Sequence, residues 1–131
     1  MAVAIEYSPL GVYHMINNYA IPQYTDWQVG IIYQVNGTTV DFSSGYTGKL
    51  QVKQNYDSPV LLELNTTNGG IVLSNGSGGS ANITLYFLKN LTKAMNVYDG
   101  MIYDLELTAT SSGTISRIIK GQFALDRNVT T

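Results

Sequence analysis

Asp104 and Glu106, in Tyr103-Asp-Leu-Glu-Leu107, stand two residues apart and share one side of any extended strand. A carboxylate pair so placed could act as the acid and base of glycoside hydrolysis or contribute to a calcium site. The surrounding pattern weighs against both. Tyr103, Leu105 and Leu107 form the inward side of an alternating strand, which leaves Asp104 and Glu106 solvated opposite basic neighbours such as Arg117 or Lys120.

The single histidine, His14 in Val12-Tyr-His-Met-Ile16, has no serine and carboxylate, and no further metal ligands, at a spacing that would enlist it. The glycine-rich run at 76–79 lacks the Gly-Lys-Ser/Thr ending and the following helix of a phosphate cradle. There are no cysteines, hence no disulfide framework, thiolate nucleophile or cysteine-based zinc site. The sequence therefore assigns no catalytic residue, no metal ligand and no cofactor, and the expectation is a protein that is not an enzyme.

Tyrosine is a different case, with ten present against three phenylalanines and one tryptophan. Tyr7, Tyr13, Tyr19, Tyr24 and Tyr33 crowd the first third together with Trp27. Flat apolar rings with one polar tip suit strand packing, protein interfaces and sugar-stacking platforms alike. The expected interface set is Tyr7, Tyr13, His14, Tyr19, Tyr24 and Trp27. The stretch Tyr13–Pro22 is apolar and poor in turns, so residues 1–25 read as an N-terminal arm or as first strands. An arm of that kind could add a strand to a neighbouring subunit.

The elements that would carry these residues are short strands. Over 131 residues, period-2 alternation predicts them near 2–7, 12–20, 28–35, 48–54, 59–64, 81–87, 101–109 and 114–125. Asn36-Gly37 signals a type I′ hairpin, whose two central residues both need positive φ, leading to a return strand at 39–42. Asn68-Gly69-Gly70 sets off the brief apolar segment Ile71-Val72-Leu73. Ser74–Ser80 reads as a mobile surface loop within one domain. Leu88–Met95 is the one helix candidate, too short to hold alone. The fold class expected is all-β: an antiparallel immunoglobulin-like sandwich with one short helix near 88–95, the sandwich domain occupying residues 26–131.

Charged residues make up 12% of the chain and the formal net charge is −2, with a pI near 5.1. No basic footprint for a phosphate backbone follows from that balance, and nucleic acid is not an expected partner. A surface poor in charge lets other proteins approach without desolvating many ions. No run approaches the ~20 apolar residues of a membrane span. The N-terminus lacks the basic and apolar regions of a secretory signal, so the six Asn-x-Ser/Thr triplets, at Asn36, Asn65, Asn75, Asn82, Asn90 and Asn128, are not expected to carry glycans.

A particular order of segments adds one further expectation. Asp26-Trp27 precedes an alternating strand, then come Gly37–Phe42, Gly48–Lys53, Ser58–Leu64, Asn68–Ile71, Tyr103–Leu107, Gly121 and Val129-Thr130. Across roughly residues 26–130 this order resembles small β-sandwich structural proteins of tailed-bacteriophage virions. The resemblance implies a structural component of the tail, baseplate or neck region, contacting other virion proteins and forming homo-oligomers, made in the host bacterial cytoplasm and not secreted. It carries no catalytic residues. Two other readings stand beside it: a capsid decoration protein, and a carbohydrate-binding module recognising host surface glycans through tyrosine and Trp27.

Overall fold

Alternation becomes strand almost wherever it occurs. The computed structural model describes residues 2–4, 15–16 and 18–127. In chain order the strands are β1 (Ala2–Ala4), β2 (Met15–Ile16), β3 (Tyr19–Pro22), β4 (Trp27–Ile32), β5 (Gln34–Val35), β6 (Thr38–Thr39), β7 (Tyr46–Lys53) and β8 (Val60–Asn65). Then come β9 (Ile71–Leu73), β10 (Ile83–Phe87), β11 (Met101–Ala109) and β12 (Ile115–Asp126).

One sheet runs β1-β4-β10-β9. The second runs β2-β12-β11-β7-β8, with β3 also paired to β12. The strands from β4 onward pair antiparallel, whereas β1 lies parallel to β4, and β2 and β3 lie parallel to β12. The described part of residues 1–25 thus sits against the chain's own two sheets. A separate two-stranded ladder joins β5 and β6, and the two larger sheets make an all-β sandwich.

The core is the inward half of each alternation. Leu50 and Val52 on β7, Leu62 and Leu64 on β8, Ile83, Leu85 and Phe87 on β10, and Leu105 and Leu107 on β11 are all buried between the sheets. Tyr19 joins them, with its ring centroid 5.2 Å from that of Tyr103, beside Phe87 and Phe123 whose centroids lie 5.6 Å apart. Burial, together with the neighbouring Tyr19, pushes the Tyr103 hydroxyl well above the ordinary tyrosine pKa.

The strand expected at 28–35 breaks at Tyr33, and Asn82 explains the break. The Asn82 side chain is fully buried. Its Oδ1 accepts from the Tyr33 backbone N–H at 2.8 Å, and its Nδ2 donates to the carbonyls of Tyr33 at 2.9 Å and Val40 at 2.8 Å. A side-chain amide here replaces the ladder a longer strand would supply. Asn36 and Gly37 take the expected positive φ values of 53° and 78°, joining β5 to the return strand, which covers only Thr38–Thr39.

The helix expected over Leu88–Met95 is a single turn, α1 (Lys89–Thr92). Distant side chains hold both ends. Asp26 Oδ1 accepts from the Lys89 N–H at 2.8 Å, and the buried Gln23 donates from Nε2 to the carbonyls of Thr92 and Met95, each at 3.1 Å. The glycine-rich stretch expected as a mobile loop folds into a turn at Ser77–Gly79, tied by Asn75 Oδ1 to the Ser77 N–H at 3.0 Å and by Ser74 Oγ to the Ala81 carbonyl at 2.8 Å.

Candidate functional site

The outward half of the alternation gathers most of the chain's positive charge. Antiparallel register sets β7, β11 and β12 side by side, so their solvent-facing residues align in rows across the sheet. One row reads Lys49, Glu106, Arg117; the next Gln51, Asp104, Lys120; the third Lys53, Ile102, Gln122. From β8, Asn65 and Glu63 continue the first two rows. Lys49, Lys53, Arg117 and Lys120 are four of the seven basic residues of an acidic chain. The others lie elsewhere: Lys89 opens α1, Lys93 follows it, and Arg127 stacks 4.3 Å over the Tyr98 ring.

Two irregularities shape this face. Between Leu105 and Glu106 the β12 register skips Ile118, turning both Ile118 and Ile119 inward and returning Arg117 to the outer side. A second shift lies between Val52 and Lys53, opposite β8. Bulges bend a strand and raise its local twist, and the two irregularities flank this face. It forms a groove of about 400 Å³ with Ile102 in its lining and Tyr56, 78% exposed, contributed by the turn between β7 and β8.

The polar groups in and beside the groove fall into two kinds. On the β8 side, Glu63 accepts from Gln51 Nε2 and from Asn65 Nδ2, both at 2.7 Å. These two hydrogen bonds, with a smaller contribution from the Lys49 charge, hold its carboxyl below the usual carboxylate range against partial burial. In the centre, Arg117 Nε stands 3.6 Å from Asp104 Oδ2, the only ion pair among the described residues. Lys49, Lys53, Lys120 and Glu106 have no opposite charge within salt-bridge distance among those residues, so their donors and acceptors face solvent.

Of the expected interface residues, the three described ones, Tyr19, Tyr24 and Trp27, do not line this groove. Tyr19 is a core residue, 7% exposed, which removes it from any surface platform. Trp27 is half-buried against the core, and Tyr24 is half-buried with φ 63°. Tyr7, Tyr13 and His14 lie outside the described residues. Asp104 and Glu106 face outward opposite Lys120 and Arg117, as the alternation predicts.

The chain matches no known family model and no curated protein.

Of the groove residues, the sequence weighs only Asp104 and Glu106 as a site, with Arg117 and Lys120 as their neighbours; Lys49, Gln51, Lys53, Tyr56, Ile102 and Gln122 were not singled out as one. The signal was half present, since Gly48–Lys53 alternates apolar-in and polar-out. What joins Lys49 and Lys53 to Arg117 and Lys120 is strand order, which alternation does not encode. Among the described residues no group of three or more His, Cys, Asp or Glu could hold a metal ion, and no helix is long and apolar enough to cross a membrane. Donors on the flanking strands and acceptors on the central one suit the groove to recognition by hydrogen bonds and charge.

Proposed function

We propose that the protein is a non-enzymatic structural component of a tailed-bacteriophage particle, in the tail, baseplate or neck region, working through contacts with other virion proteins and with its own copies. The observation that supports this reading is the edge position of β8. Among the described residues that strand closes the second sheet with a neighbour on one side only, and Val60, 42% exposed, opens it.

An edge strand with apolar groups at its end can take up another chain's strand through backbone hydrogen bonds, which needs few charges. Across a symmetric ring the same contact repeats until it closes. The short β9 edge, with Val72 also exposed, offers a second contact of this type on the other sheet. Sedimentation of the pure protein and mass spectrometry of purified particles test the reading. It expects a mass above one subunit or defined copies in the particle; a monomer absent from purified virions overturns it.

A further inference from the structure

The outer groove of the second sheet has an arrangement that assembly through the β8 edge does not require. Its charge is sorted by strand. Lys49 and Lys53 stand on β7, Arg117 and Lys120 on β12, and Asp104 and Glu106 on β11 between them. Opposite charges across the strands add a little stability to such a face, but a face meant for a simple polyanion would not set two carboxylates along its middle.

We propose that this groove binds an acidic oligosaccharide, a hydroxyl-rich sugar chain bearing carboxylate groups. Sugar hydroxyls donate to Glu106 and Asp104 on the central strand and exchange hydrogen bonds with Gln51 and Gln122. Sugar carboxylates accept from Lys49 and Lys53 on one side and from Arg117 and Lys120 on the other. Three rows along the strands span about 14 Å, and the three strands β7, β11 and β12 span about 10 Å across, room for a short run of sugar rings. The volume of about 400 Å³ falls within the roughly 300–1,000 Å³ of small-ligand sites. Tyr56 offers an exposed ring face at the lip for stacking.

An acidic peptide meets the cations equally well but brings no hydroxyl array to the central carboxylates. A nucleic acid strand would lay a continuous row of phosphates against them. Donor–acceptor complementarity at the central carboxylates therefore favours the sugar. The site stands apart from the assembly reading: loss of self-association leaves it intact, and loss of sugar binding leaves the β8 edge intact.

Calorimetric titration of the full chain with trigalacturonate, maltotriose and triglutamate tests it. Binding of trigalacturonate with Kd below about 1 mM, weakening as salt rises, with neither of the other two bound, is the expected result. Lys120→Gln should weaken it at least about tenfold, the scale of one charge-assisted hydrogen bond. Glu106→Ala separates the sugar from a plain anion. Removing a negative charge strengthens binding of any anion held by charge alone, but weakens a sugar whose hydroxyls Glu106 accepts. Both side chains point out of the core, and an unchanged thermal midpoint verifies that each variant folds. Equal binding of triglutamate, equal binding of maltotriose, tighter binding by Glu106→Ala, or no binding of trigalacturonate overturns the proposal.

Discussion

Leu50, Leu105 and Ile119 form one row across β7, β11 and β12, and Gln51, Asp104 and Lys120 form the row beside it. The first row is fully buried and the second faces the groove. The same three strands thus carry two unrelated constraints, one residue out of phase. Inward residues answer to packing, where volume decides. Outward residues answer to whatever meets the surface, where the order of charges decides and stability is nearly indifferent. The difference separates residues that make the fold from those available for function.

Breaking the inward row should cost most. Leu105→Ala removes a side chain with no exposed surface and leaves a cavity between the sheets, an expected loss of about 2–5 kcal/mol in urea unfolding. Asn82→Ala sharpens the contrast, because Asn82 is polar yet belongs to the inside. Its loss orphans the Tyr33 N–H and the Val40 carbonyl and takes one of two donors from the Tyr33 carbonyl, which keeps the Val40 N–H at 3.2 Å, with an expected cost of about 2–4 kcal/mol by the same measurement. A loss under about 1 kcal/mol would mean that water or a strand rearrangement takes over those groups.

On the outward row the expected effect is small. Arg117→Gln breaks the Asp104 pair on an open face and should change stability by at most about 0.5 kcal/mol. A larger loss would place Arg117 among the residues that make the fold. Smallest is the acid response of Glu63. Its folded pKa lies below its unfolded one, so its stabilisation is complete above the ordinary carboxylate range and fades as pH falls through that range to the folded value. Thermal midpoints of the protein and of Glu63→Gln should differ at neutral pH and converge in acid, and a gap that stays constant with pH would contradict the cause given.

The inward constraint was legible in the sequence. Tyr103, Leu105 and Leu107 announce β11, and its observed bounds, Met101–Ala109, match the alternation because packing imposes period 2 residue by residue. The I′ turn was legible too, since Asn36-Gly37 answers to a purely local φ requirement. What escaped depends on distant partners. Tyr33 ends a strand because Asn82, far along the chain, takes its backbone groups. Tyr19 read as a surface aromatic because nothing local reveals that β3 packs against β12. Lys49 and Lys53 come onto one face with Arg117 and Lys120 only through the sheet order and the skipped Ile118.

The claim that one side of these strands holds the fold and the other meets a ligand can be tested on single methyl groups. Ile102 lines the groove, while Leu105 and Ile119 sit on the inward row of the same strands. In a methyl NMR titration with trigalacturonate, the Ile102 signal is expected to move in proportion to saturation while those of Leu105 and Ile119 stay in place. A stationary Ile102 signal at millimolar ligand, or shifts confined to residues away from the groove, would contradict the account.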